Sequence, residues 1–276
     1  MGLKVNTNIE ALDVHNNIAA TSAKVATSLK RLSSGLKINS AKDDAAGYAI
    51  ANSFAAKFSA MKVASQNGSE AQSMLQTADG AYTKINDILV RMKSLATQAA
   101  SGQTESLTTM NNEFKSLQDE IDRISSSTKY GTTTLIDGTG SAASGITFQI
   151  GSTNSASDQL VVKFNSATAT DLGVSTSIGI EHLASAQDAM GKIDTALTSI
   201  NSYMGSVGAY QNRMQYTIDN LSTSIQNYSA SESTIRDVDM ASEISDFTKN
   251  QILQQAGMAM LAQANSGPQQ ILTLLR

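Results

Sequence analysis

From Ala186 to Ile235 apolar residues return in unbroken steps of four and three: Ala186, Met190, Ile193, Leu197, Ile200, Met204, Val207, Gln211, Met214, Ile218, Leu221, Ile225, Tyr228, Glu232 and Ile235. Only Gln211 and Glu232 interrupt the apolar character. A repeat of this kind is a heptad seam, one apolar edge on one continuous helix. At the standard helical rise the span would be roughly 75 Å long. No small round domain holds such a helix lengthwise, so the sequence predicts a rod. Gly191, Gly205 and Gly208 fall inside the run, each costing up to ~1 kcal/mol relative to alanine, and the unbroken seam outweighs them.

Two shorter seams precede it. Leu75, Ala78, Tyr82, Ile85, Leu89, Met92, Ala96 and Ala99 make the first, and Met110, Phe114, Leu117, Ile121 and Ile124 the second. Ser101-Gly102-Gln103 between them reads as a helix–helix turn. Helices with one apolar edge each bury those edges against one another as a bundle. The composition agrees with a thin core: aromatics are 5% of the 276 residues, and Trp and Cys are absent.

The middle of the chain changes character. Between Tyr130 and about Ile180 it is rich in Gly, Ser and Thr, with short apolar runs at Ile146–Ile150 and Leu160–Phe164. Gly151-Ser152-Thr153-Asn154 bounds them, and Asp137-Gly138 is a further turn signal. The fold class that follows is mainly α: an elongated antiparallel coiled coil or helical bundle with a small β-hairpin element at the tip.

The two ends resemble each other in kind. Val14, Ile18, Thr21, Val25, Leu29, Leu32 and Leu36 form an apolar stripe near the start. Met240, Ile244, Phe247, Leu253, Ala256, Met260 and Ala264 form one near the end, and Ile271, Leu272, Leu274 and Leu275 follow. The ends meet if the middle folds back on itself. A pair of helices still leaves much of that apolar surface in water, and copies of the same chain are the most available cover.

Catalytic chemistry finds little material. Without cysteine there is no disulfide framework and no thiolate site. His15 and His182 stand apart and belong to no metal-binding spacing. Asp43 and Asp44, adjacent on the chain, do not face the same way on a helix and suit capping better than cation binding. No catalytic residue, metal ligand or cofactor is expected. Lys and Arg are scattered and the net charge is −4, which argues against nucleic acid as a partner. No stretch reaches the roughly 18 apolar residues of a membrane span. Met1–Asn8 lacks the apolar core of a secretory signal peptide.

The segment running from Arg31 through Leu32-Ser33-Ser34-Gly35-Leu36-Lys37-Ile38-Asn39-Ser40-Ala41-Lys42-Asp43-Asp44 to Gly47 resembles the N-terminal signature of bacterial flagellins, as do Asn6-Thr7-Asn8 and Ala11-Leu12. Ile235-Arg236-Asp237-Val238-Asp239-Met240-Ala241, Gln255-Ala256-Gly257, Leu261–Asn265 and the final Leu274-Leu275-Arg276 resemble the C-terminal one. The resemblance covers about residues 1–125 and 183–276. It departs at Lys129-Tyr130-Gly131-Thr132, where that family commonly shows an Asn-Gly turn.

This resemblance implies a core-only flagellin, a structural subunit that self-assembles into a helical filament for swimming, without enzymatic activity. The alternative reading is a hook–filament junction protein. The implied division is residues 1–40 as the N-terminal helix of an inner domain, and 41–182 as the first part of an outer helical domain with its β-element at about 130–180. Residues 183–235 are then the long returning helix, and 236–276 the C-terminal inner helix. Self-assembly falls to Val14, Ile18, Val25, Leu29, Leu32, Ile244, Phe247, Leu253, Met260, Leu272 and Leu275. The joint between the layers falls to Arg31, Asp43, Asp44, Arg236, Asp237 and Asp239, where an arginine–carboxylate pair would be bidentate and orienting. The implied partners are many copies of the chain, a flagellar export chaperone that uses the Met258-Ala259-Met260 run, the cap, and the hook-associated junction proteins. Arg91, Leu95, Gln98 and Glu113 match positions that contact the vertebrate innate immune flagellin receptor, and Ser94 replaces the glutamate commonly found there. The implied location is the extracellular filament, reached by type III export without a cleaved signal peptide.

Overall fold

The computed structural model describes residues 8–101 and 107–274, with side chains described as far as Ser266. Asn6 and Thr7, the Gly102-Gln103 half of the expected turn, and Leu275-Arg276 lie outside the described residues. In chain order the elements are α1 (Ile9–Ser34), α2 (Ala45–Ala99), α3 (Leu107–Ser127), β1 (Lys129–Tyr130), β2 (Thr133–Thr134), α4 (Gly140–Ser144), β3 (Ile146–Gln149), β4 (Gln159–Val162), α5 (Leu183–Arg236) and α6 (Met240–Leu274). They form two compact units, Met1–Ala56 with Asn227–Arg276, and Lys57–Gln226.

The heptad arithmetic of the sequence reappears as burial in the second unit. Ala186, Ile193, Ile200, Val207, Met214 and Leu221, each seven residues after the last, are all buried on α5. Their alternates Met190, Leu197, Met204 and Ile218 are half-buried against the same core. On α2 the whole expected seam from Leu75 to Ala99 is buried. Their alignment follows from three contacts: Gly68 meets Ile218, the Tyr82 and Tyr203 rings lie 5.9 Å apart, and Lys93 Nζ donates to Asp194 at 2.5 Å. As one number rises the other falls, so the helices run antiparallel in a single register.

The third side of this core is α3 and the segment that follows β4. Phe114 and Ile121 are fully buried on α3. Residues 167–181 form turns but no helix or strand, and polar side chains of α3 hold them. Asn111 accepts from the Ile180 amide at 3.0 Å, and Gln118 Nε2 donates to the Ser175 and Ile178 carbonyls at 2.9 and 3.0 Å. Asp122 accepts from the Ala169 amide at 2.7 Å, and Ser125 donates to the Ile136 carbonyl at 2.7 Å. Buried backbone groups without sheet partners need such bonds. Val174, Ile178 and Ile180 are thereby delivered into the core.

Two small antiparallel hairpins complete the unit. In the first, Tyr130 pairs with Thr133 around a two-residue turn in which Gly131 takes φ 60°. This is where the Asn-Gly pair is missing; glycine at the first central position supplies the left-handed backbone by itself. In the second, Ile146 pairs with Val162 and Gln149 with Gln159, close to the two strands expected. Tyr82, fully buried, donates from its hydroxyl to the Asn165 carbonyl at 2.6 Å. Burial pushes that phenol well above the usual tyrosine range.

Ile85 and Val90 stand on the same helix in opposite environments, the first fully buried and the second more than half exposed. Ile85→Ala is expected to destabilise the chain by about 2–5 kcal/mol, and Val90→Ala by under about 0.5 kcal/mol. Urea denaturation followed by far-ultraviolet circular dichroism measures both; equal losses would contradict the assigned seam.

Candidate functional site

The first unit carries the stripes expected to assemble. α1 and α6 pack antiparallel. Asn8 Nδ2 donates to the Ala264 carbonyl at 2.9 Å, Ile18 lies against Gly257, and Arg31 pairs with Glu243 at 3.5 Å. On α1 the covered line is Ala11, Val14, Ile18, Thr21, Val25, Ser28 and Leu32, stepping three and four. Four expected residues, Val14, Ile18, Val25 and Leu32, therefore sit within the intrachain pair, while Leu29 is exposed.

On α6 the line facing α1 differs from the apolar stripe read in the sequence. It consists of Glu243, Phe247, Asn250, Gln254, Gly257, Leu261 and Ala264. Three of these are polar, and only Phe247 and Ala264 were in the expected stripe. Met240, Ile244, Leu253 and Met260 are exposed, as are Ile252 and Met258. The reason is chemical. α6 is apolar on nearly every side, so apolar spacing cannot select a face. The face is selected by Arg31, which needs a carboxylate, and by the close approach at Gly257. A Cβ there would stand 2.8 Å from Ile18 Cγ1. Ile252 escaped the stripe because it lies between heptad positions; counting apolar residues at every helical angle would have exposed it. Leu272 lies within α6, and Leu275 lies outside the described residues.

At the upper end of this pair the two chain segments cross. Gly35 ends α1 at φ 72°, a left-handed cap that glycine adopts without strain. Its carbonyl accepts from the Val238 amide at 3.0 Å, and the Lys37 amide donates to the Arg236 carbonyl at 2.7 Å, bridging Leu36 and Asp237. Asp44 Oδ1 accepts from the Ala46 and Gly47 amides at 3.0 Å, and Asp239 Oδ1 from those of Ala241 and Ser242 at 3.0 and 3.3 Å. Each therefore caps the helix that leaves the crossing, α2 and α6 respectively. Asp43 accepts from the Ser40 hydroxyl and from the Asn39 and Ser40 amides at 3.0–3.1 Å. The Ser40 hydroxyl first, then the Asn39 amide, hold its carboxyl below the usual range. Asp237 accepts from the Ser233 hydroxyl at 2.6 Å.

Both arginines find glutamates rather than the flanking aspartates. Arg236 reaches Glu232 at 3.4 Å and lies 5.9 Å over the Tyr48 ring. Arg31 reaches Glu243, which is 8% exposed. Each arginine keeps its Nε buried without a hydrogen-bond partner.

In the second unit, Arg91 meets Glu113 through Nε at 2.8 Å and Nη2 at 2.7 Å, both exposed, with Ser94 and Gln98 exposed beside them. Leu95 is 2% exposed and belongs to the core. It lies on the core side of the boundary, with buried Met92, Ala96 and Ala99, while Arg91, Ser94 and Gln98 lie on the solvent side. Among the described residues no cluster of three metal-ligating side chains occurs, and no helix is long and apolar enough to cross a membrane.

A family model described as the bacterial flagellin N-terminal helical region matches residues 5–141, and one described as the C-terminal helical region matches residues 190–275. The chain belongs to the bacterial flagellin family. It is 38% identical to the flagellin of Bacillus subtilis, with 99% of this chain and 100% of that one aligned. Its identity to the flagellin of Halalkalibacterium halodurans is 37%, over 99% of each chain. To the flagellar filament 33 kDa core protein of Treponema phagedenis it is 34%, again over 99% of each. This flagellin is a structural subunit of the flagellar filament, an extracellular appendage of motility, and not an enzyme. Its relatives match it from end to end, and none of this favours the junction alternative.

Two outcomes follow from the geometry. Arg31→Met leaves Glu243 buried without its cation and should destabilise the α1–α6 pair by about 1–3 kcal/mol, the lower end reflecting partial exposure of Arg31; thermal melting checks it, and an unchanged melt would show that the pair is dispensable. For Asp43, a lowered folded pKa means that its loop contacts contribute fully above the ordinary aspartate value and fade as pH falls through the lowered one. Its carboxyl carbon should titrate by NMR with a midpoint below the free-aspartate value of about 3.9.

Proposed function

We infer that this flagellin polymerises through the flanks of α1 and α6 that its own fold leaves bare. One observation carries the inference: α6 turns a line with three polar residues in seven toward α1 while Ile244, Ile252, Leu253, Met258 and Met260 stand in solvent. A helix apolar on all sides is stable where it is surrounded on all sides. A two-helix pair covers one side only. Further copies of the chain, offering the same bare flanks, cover the rest and convert apolar area into assembly free energy. Val14, Ile18, Val25, Leu32 and Phe247 then hold the pair together, and Leu29, Ile244, Leu253 and Met260 meet neighbours, as do Leu272 and Leu275.

Under this reading residues 1–40 and 236–276 form the inner layer of the filament and 41–235 the outer one, with the β-element at about 130–180. Arg31, Asp43, Asp44, Arg236, Asp237 and Asp239 form the joint, where the capped helix starts set the direction in which each chain segment leaves. Export proceeds through the flagellar type III apparatus without a cleaved signal peptide. A flagellar export chaperone masks the bare α6 flanks before assembly, and the cap and hook-associated junction proteins abut the polymer at its two ends. The exposed Arg91–Glu113 pair with Gln98 is the surface offered to the vertebrate innate immune flagellin receptor, and Leu95 supports it from beneath.

Purified chain, heated to monomer, cooled and supplied with short filament seeds, should grow long uniform filaments visible by negative-stain electron microscopy. Short stubs would favour the junction protein. A chain lacking residues 240–276 should not extend seeds yet should keep the helical circular dichroism of its second unit. Collapse of that helical signal would sink the layer assignment, and filament growth by the truncated chain would sink the role of α6.

A further inference from the structure

The described methionines span the full range of burial, with Met61, Met110, Met190 and Met204 half-buried between two extremes. Met74, Met92 and Met214 are buried in the core of the second unit. Met258 and Met260 stand 53% and 61% exposed on α6, and Met240 is exposed at that helix's first turn. Susceptibility of a thioether to oxidants follows its accessibility. The chain therefore presents unprotected sulfurs on the helix whose bare flanks were assigned to assembly.

Their placement is specific. Gly257 marks the line of closest approach to α1, since a Cβ there would stand 2.8 Å from Ile18. At the helical repeat, Met258 lies roughly 100° to one side of that line and Met260 roughly 60° to the other. The two sulfurs thus straddle the α1 contact, one on each bare flank. Met258 follows Met240 by five whole turns, and Met260 stands two turns after Leu253, nearly on its line. Any neighbouring chain that covers either flank of α6 near Gly257 must cover a methionine. Leucine would bury as much apolar area there, but the thioether can change polarity without changing the sequence.

We propose that Met258 and Met260 form a peroxide-sensitive modification site whose conversion to sulfoxide withholds the chain from the polymer, an inference that rests on the assembly reading above. The Sδ lone pair attacks one oxygen of hydrogen peroxide. An S–O bond forms, the O–O bond breaks, and the departing hydroxide takes up the proton left by the transferred oxygen and leaves as water. Sulfur is oxidised by two electrons and the peroxide is reduced by two. The product carries a strong acceptor in the middle of a surface that assembly would dehydrate. At helical-neighbour spacing Gln254 and Gln255 precede Met258 by four and three residues, and Gln263 follows Met260 by three, so any amide that pairs with the sulfoxide must itself leave water on assembly. Dehydrating so strong a dipole in an apolar contact opposes association. Sulfoxide reduction reverses the change, so the site can be reset in a chain that has not yet been assembled.

The test uses the full-length monomer treated with limiting hydrogen peroxide, then extended on seeds and sedimented. Peptide mass spectrometry reads sulfoxide at each methionine in pellet and supernatant. Oxidation should appear at Met258 and Met260 before Met74, Met92 and Met214. Sulfoxide at those two positions should be depleted from the pellet by about tenfold relative to the supernatant, the factor expected for dehydrating one strong acceptor on assembly. Equal occupancy in the two fractions overturns the proposal. A chain carrying Met258→Leu and Met260→Leu should keep extending seeds at a peroxide dose that halts the unsubstituted chain, and halting of both overturns it. The pellet comparison needs no variant, so a poorly folding double substitution leaves the test intact. If untreated chain fails to extend seeds, the assembly reading falls and this inference with it; if oxidised and untreated chain extend seeds alike, only the redox site falls.

Discussion

Burial is the constraint on which both units depend, because a helix alone can hide none of its own surface. α2 and α5 are 55 and 54 residues long, far beyond what propensity alone would sustain with so many Ser, Thr, Asn and Gly residues. What sustains them in the second unit is a shared seam, buried on α5 every seventh residue from Ala186 to Leu221. Because that spacing is met on α2 by a matching run from Leu75 to Ala99, slipping either helix by one residue would turn its seam toward water. Register is thus held by apolar periodicity, and ion pairs such as Lys93–Asp194 decorate a register already decided.

The first unit obeys the same constraint and satisfies it less completely. α1 offers a mixed line of Val, Ile, Thr and Ser, and α6 answers with Glu243, Asn250, Gln254 and Gly257. The pair is held by Val14, Ile18, Val25, Leu32 and Phe247, by the seating of Ile18 against Gly257, and by the Arg31–Glu243 contact. The best apolar surface of α6 is left outside, which is the opposite of what a finished globular protein does. Under the assembly proposed above, the free energy withheld from the monomer becomes available to the polymer.

Much of the fold was legible in the residues. The three seams, the break after Ala99, the two strands around Gly151 and the capping aspartates each rest on local chemistry, either periodicity, glycine freedom or a short acceptor near free amides. The segment of residues 167–181 was not legible, because it has neither period nor strong turn signals. Its course is decided by Asn111, Gln118 and Asp122, which lie far away in sequence. Leu95 likewise reads as one more position on a helix until its neighbours are known, and only then does it separate from Arg91 and Gln98.

The sequence by itself determined that this chain is a set of long antiparallel helices with small hairpins, and that its ends carry more apolar surface than one copy can cover. It did so because heptad spacing and residue polarity act locally and survive without knowledge of partners. Which side of α6 meets α1 was decided only by the tertiary structure. A helix with apolar residues at nearly every angle has no preferred face of its own, so the choice passed to Arg31 seeking Glu243 and to Gly257, where the absence of a Cβ lets the Ile18 side chain seat. That choice settles which residues are spent inside the monomer and which remain for its neighbours.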